Sequence, residues 1–258
     1  MNTNSNVYTV IYTTLVVVVV AAVLAFVSSK LGPAQQANAK AETLRQMMVA
    51  AQVGTTEELY QSKNDQVLQL YADNIQEAFA IDLDGDKVKD LNIEKSNIEL
   101  IDNLKPQNKA VKAEGEATLP VYIFKSGKTV VPIYGAGLWG PVWGYIAFNE
   151  DLKTIAGAYF DHEGETPGLG GKIKDDPSFR AQFVGKQIDY SDAKPFSIIK
   201  GGAKGKANAV DAITGATMTS KGLDAAIVEW LGAYENALGI EALLKNIEEG
   251  ETLNNEEE

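Results

Sequence analysis

The hydrophobic pattern divides the chain into three regimes. Residues 1–29 carry no charged side chain, and residues 7–27 are apolar almost throughout. As a helix rising 1.5 Å per residue, that run covers roughly 30 Å, the thickness of a hydrocarbon core. Its five consecutive valines, 16–20, are no obstacle, because lipid leaves the backbone no partner but itself. A cleaved signal peptide has a basic leading region and a shorter apolar core, so the pattern predicts a retained single span. A helical period follows. Leu31-Gly32-Pro33 is expected to break the helix at the membrane surface, and residues 38–53 to form an amphipathic one with Leu44, Met47, Met48 and Ala51 on one side. A second helix is expected over 56–79.

From Val88 onward short alternating runs take over, among them 98–101, 119–124 and 155–160, and Ser126-Gly127-Lys128 fits a hairpin turn. Further short elements are expected at 179–188 and 196–199. The period returns to 3.6 after Ser220. Leu223, Ala226, Ile227, Trp230, Leu231 and Tyr234 fall on one face of a helix that runs to about Leu238 and ends at Gly239. A short helix at 241–247 and a solvated acidic tail at 248–258 close the chain. The sum is an α+β protein: a transmembrane anchor over 1–30, a helical membrane-proximal segment over 31–80, and a mixed α/β domain over 81–247.

Composition removes several classes of chemistry. A formal net charge of −12 and a pI near 4.7 argue against nucleic acid, since phosphate neutralisation needs a basic face. With no cysteine there is no disulfide, no thiolate-held zinc or iron–sulfur cluster, and no thiol nucleophile. Asp82-Leu83-Asp84-Gly85-Asp86 starts like a calcium loop, but Lys87 and Ile93 occupy the positions that need Gly and a bidentate Glu, so it reads as a turn. His162, the only histidine, stands beside Glu163 and Glu165 without the helical ligand spacing of a zinc site; no metal is expected.

Four stretches remain as candidates for chemistry. Residues 211–220 place Thr214, Thr217, Thr219 and Ser220 around Gly215 and Ala216 at the start of the last helix. A helix N-terminus gathers unpaired N–H groups and favours a phosphate, and the same hydroxyls also fit an ordinary cap. Residues 134–148 are dense in glycine and aromatics, including Trp139 and Trp143, and offer flat apolar faces for a ring system or a packed strand corner. The glycine-rich loop 162–171 has the composition of one that encloses a ligand. Residues 200–206 put three lysines beside the hydroxyl cluster but lack the Gly-Lys-Ser/Thr ending of a nucleotide P-loop, because Ala207 follows Lys206.

Three of these segments and the N-terminal span together resemble a known family. Gly137-Leu138-Trp139-Gly140, the run His162-Glu163-Gly164-Glu165-Thr166-Pro167-Gly168-Leu169-Gly170, and Thr214-Gly215-Ala216-Thr217 are similar to motifs of the C subunit of the Na+-translocating NADH:quinone reductase. The last two also occur in the G subunit of the Rnf complex. The resemblance implies an electron-transfer subunit with FMN joined by a phosphoester to the threonine matching Thr217, an FMN-binding core over about 134–238, and attachment by a separate Mg2+-dependent flavin transferase that uses FAD. It implies a bacterial inner-membrane protein with its C-terminal domain on the periplasmic face, against the weak vote of Lys30, Lys40 and Arg45. On that reading Thr214, Gly215, Ala216 and Thr219 surround the tether, Lys206 offsets the phosphate, Glu165, Thr166, Leu169 and Gly170 shape the flavin pocket, and Trp139 or Trp143 packs on the ring. No residue of the chain is expected to be catalytic by itself. NADH oxidation, quinone reduction and sodium movement fall to partner subunits. An Rnf-type or other flavinylated carrier, or a membrane-anchored binding or assembly module without a cofactor, are the competing expectations.

Overall fold

The computed structural model of the protein describes residues 6–113, 115–192 and 194–238. The helix stop at Gly239, the helix at 241–247 and the acidic tail lie outside them. Two compact units are present, Met1–Glu42 and Thr43–Glu258.

The first helix, α1, spans Asn6–Ala50 and continues through Pro33 rather than breaking there. Proline removes one ladder hydrogen bond, and the long helical runs on both sides propagate past a single missing bond. The apolar part of α1 is long enough to cross a membrane, which makes it a single-pass anchor by length and composition.

In the second unit, Leu44, Met47, Met48 and Ala51 are all buried, as the amphipathic pattern requires. Two short helices follow, α2 (Thr56–Gln61), closed by a Thr55–Glu58 capping box, and α3 (Asn64–Asn74). The expected second helix over 56–79 therefore stops early. Ile75 caps α3 with its N–H on the Tyr71 carbonyl and opens strand β1, Ile75–Ile81. Pairing with a later strand overrides the helical period there, a non-local contact that periodicity does not register.

The turn after β1 is the one anticipated at Asp82: its Oδ1 accepts from the N–H groups of Asp84 and Asp86. It leads into β2, Lys87–Asp90. Residues 98–101 form no strand, and α4 (Leu104–Lys112) appears where none was expected, with Pro106 tolerated in its first turn. Strands β3 (Leu119–Phe124), β4 (Thr129–Ala136), β5 (Pro141–Phe148) and β6 (Ile155–His162) complete an antiparallel sheet in the order β2-β1-β3-β4-β5-β6. Gly127, at φ +77, supplies the left-handed residue of the β3–β4 turn. Short helices α5 (Lys172–Asp175) and α6 (Pro177–Ala181) lie against β6. A small parallel pair, β7 (Ser197–Ile199) and β8 (Ala209–Asp211), precedes the final helix α7, Thr217–Leu238.

Alternation sorts the sheet into two faces. Val131, Ile133, Val142, Ile146 and Phe160 join Leu223, Ile227, Trp230 and Leu231 of α7 in one core. The opposite face meets the helices that precede β1: Tyr71 packs edge-on to Phe124, Tyr60 and Tyr159 share a hydroxyl hydrogen bond of 2.8 Å, and Gln46 reaches Asp161 at 2.9 Å. All six residues expected on the buried face of α7 are buried.

Candidate functional site

Three loops converge at one end of the α7 side of the sheet. They are the β4–β5 turn at 137–140, the loop 163–171 after β6, and the link 212–216 from β8 to α7. Each is shaped by glycine. In the link, the N–H of Ala216 donates to the Ile213 carbonyl at 3.1 Å, a four-residue turn whose third position is Gly215 at φ +83. The turn delivers the chain into α7 with Thr217 as its first helical residue. Thr217 and Thr214 are exposed, and so is Gly215, while Ala216 is buried against the core. Leu169 lies beside Gly215, so the second and third loops touch.

The remaining hydroxyls of the cluster point inward. Thr219 is buried, and its Oγ1 donates to Glu165 Oε2 at 2.5 Å. The Oγ of Ser220 accepts from the Ile213 N–H at 3.2 Å and fixes the start of the turn. Among the four, only Thr214 and Thr217 face solvent, and Thr217 alone of these two stands on the helix.

A hollow of about 340 Å3 opens beside Thr217. Lys200, Gly201, Thr214, Gly215 and Lys221 are among its walls. Lys206 is not among its lining residues; its carbonyl accepts from Lys186 Nζ at 2.6 Å at the far end of the lysine loop. The positive charge at the hollow comes instead from Lys200 and Lys221. Composition does not single out Lys221, although its spacing four residues after Thr217 puts both on one side of a helix. A larger open hollow of about 940 Å3 lies between the β1–β2 turn, the end of α4 and Gly232 of α7, away from all three loops.

On the first two loops and the first turn of α7, Leu138, Trp139, Leu169 and Met218 expose large apolar side chains, with Trp139 70% accessible. Trp143 is elsewhere. It shares the opposite face of β5 with Tyr145, and its Nε1 donates to Gln46 Oε1 at 3.4 Å. Thr166 and Gly170 belong to the second loop: the Thr166 carbonyl accepts from Leu169 and Gly171, and Gly170 is buried against Glu165 and Thr219. His162 is half-buried, its Nδ1 accepting from the Glu165 N–H at 3.1 Å, which makes it part of the loop's frame. Nearby Tyr134 has its hydroxyl pushed above the usual range, by partial burial first and by Glu163 second. No group of His, Asp and Glu side chains suited to a metal ion occurs among the described residues.

Residues 137–232, which hold all three loops, match the family model of the FMN-binding domain. The chain is 41% identical over 132 residues to the C subunit of the Na(+)-translocating NADH-quinone reductase of Vibrio anguillarum, an alignment covering 49% of this chain and 51% of that protein. It therefore spans about half the length of the curated relatives it matches. Solved structures extend the likeness. The crystal structure of the C subunit of the same reductase from Parabacteroides distasonis superposes with a TM-score of 0.64 at 32% identity, over 79% of this chain and 94% of that one. The chain belongs to the NqrC family, the C subunits of Na(+)-translocating NADH-quinone reductases. Another structure, NqrC of Shewanella oneidensis, agrees in fold at a TM-score of 0.61 and 28% identity. In this NqrC-family chain the matched domain begins at the β4–β5 turn and ends inside α7, so the three converging loops belong to its FMN-binding region.

Proposed function

We propose that the chain is the electron-transfer subunit of a Na+-translocating NADH:quinone oxidoreductase, with FMN held by a phosphoester at Thr217 Oγ1. The carrying observation is the exposed Thr217 hydroxyl at the first position of a 22-residue helix, opening on a lysine-lined hollow inside the FMN-binding region. The residues present fit that group. The α7 N-terminus with Lys200 and Lys221 suits a phosphate, and the exposed faces of Leu138, Trp139, Leu169 and Met218 suit a flat ring system. Gly215 leaves room that a side chain would fill, since an added Cβ would approach Leu169 to 3.1 Å.

Attachment is a phosphoryl transfer. The Thr217 O–H bond breaks and an Oγ1–P bond forms, while the anhydride P–O bond of FAD breaks and AMP leaves with the electron pair. A Mg2+-dependent flavin transferase takes the hydroxyl proton and holds the donor. Once bound, FMN supplies the redox chemistry. The protein's share is to fix the phosphate, cover part of the ring with apolar groups and leave the remainder open to electron partners. Thr214, Gly215, Ala216, Thr166, Leu169, Gly170 and Trp139 line or shape that site in this reading, whereas Thr219 and Glu165 support it from beneath.

In this reading the single-pass anchor holds the chain in the bacterial inner membrane with the flavin on the periplasmic side, where a covalent tether prevents cofactor loss. NADH oxidation, quinone reduction and the sodium pathway reside in the other subunits, since one span offers no ion route of its own. The test is a denaturing gel of the chain made in cells that hold the transferase. A fluorescent wild-type band is expected, absent in Thr217→Ala, with intact mass showing the FMN increment on the peptide containing Thr217. A dark wild-type band refutes the proposal.

A further inference from the structure

Glu165 is a carboxylate in an unusual place: only 4% exposed, it has no lysine or arginine partner among the described residues. Neutral donors satisfy it instead. Oε1 accepts from the backbone N–H groups of Leu138 at 2.7 Å and Trp139 at 2.9 Å, and Oε2 accepts from Thr219 Oγ1 at 2.5 Å. The side chain fits because Gly137 and Gly170 lack a Cβ; one added at either position would collide with a Glu165 oxygen. One carboxylate thus bolts the β4–β5 turn and the 163–171 loop to the first turn of α7, two residues from Thr217.

We infer that Glu165 is a positioning residue for flavin attachment, holding the 137–140 turn and the start of α7 in the relative geometry that phosphoryl transfer to Thr217 requires. The inference rests on the tether reading above and deepens it. Hydrogen bonds to a charged acceptor are the strong ones, and here they join two different segments to one carboxylate. Cutting them leaves Thr217 on its helix but frees the apolar wall at Leu138 and Trp139 to move away. An acceptor group displaced by an ångström loses much of the advantage of a preorganised site.

Three variants separate this role from a merely structural one. Glu165→Gln keeps an acceptor for the two N–H groups and can donate to Thr219. Glu165→Ala removes every link, and Thr219→Val removes only the link to α7. Two quantities are read: backbone amide exchange at Leu138 and Trp139 in flavin-free protein, and the rate of FMN incorporation from FAD with the transferase. In Glu165→Ala the amides are expected to lose protection and incorporation to slow by about tenfold or more. Glu165→Gln should keep the protection and stay within about twofold of wild type. Thr219→Val should keep the protection yet incorporate flavin several-fold more slowly. The inference is overturned if folded Glu165→Ala or Thr219→Val is labelled at the wild-type rate, or if Glu165→Gln is as impaired as Glu165→Ala. Should Glu165→Ala fail to fold, Thr219→Val decides. An unlabelled wild type removes the tether and this role together, and is told apart because the wild-type lane itself is dark.

Discussion

A Cβ on Gly222 would run into the carbonyl oxygen of Ala136, and one on Gly135 would come within 2.7 Å of the Ala226 side chain. At this crossing α7 and β4 meet backbone to backbone. The absence of side chains at this crossing lets the first turns of α7 lie directly against the end of β4. Gly222→Ala should lower the stability to urea by about 1–3 kcal/mol, the usual cost of overpacking a close contact. Gly232 provides the control on the same helix, since nothing lies within 4 Å of its added Cβ. Gly232→Ala should raise stability by about 0.5–1 kcal/mol through helix propensity. The sequence marks both glycines equally, and only the packing gives them opposite consequences.

Among the elements, α7 does most to hold the site. It buries Leu223, Ile227, Trp230 and Tyr234 against the sheet, and Trp230 Nε1 donates to Asn108 Oδ1 at 2.9 Å, which binds α4 into the same core. Trp230→Ala should cost about 3–5 kcal/mol in urea unfolding. This helix was legible from its period, as were the buried face of α1 and the β3–β4 hairpin, because each is a local signal. The end of α3 at Asn74 and the existence of α4 were not. The first depends on β1 pairing with β3, and the second on a short polar helix anchored by Leu104 and Asn108. At the site, the loops carrying Thr217, Leu169 and Trp139 could be named from composition and family likeness. Which face Trp143 takes, which lysines reach the hollow, and that Glu165 and Thr219 bond to each other are products of tertiary contact.

On the scale of the whole molecule, the two ends of the sheet are treated differently. The β6 edge is closed by its neighbours: Gly185 donates to the Ile155 carbonyl at 2.8 Å and Gln52 Nε2 to that of Ala156 at 2.6 Å. Among the described residues no strand pairs with the outer edge of β2, and all four of its residues are exposed. Lys87 pairs there with Glu77 and Asp90, and Lys89 with Glu99. Charged side chains on an open edge discourage another strand from adding to it. Replacing both lysines, Lys87→Val with Lys89→Val, should leave the monomer's helix and strand content unchanged by circular dichroism and shift the sedimentation profile toward oligomers. A membrane anchor gives that edge a further meaning. Proteins moored by one span move in two dimensions and meet their neighbours far more often than they would in solution. Under that confinement a short charged strand is challenged at every encounter between copies, and its lysines disfavour edge-to-edge pairing each time.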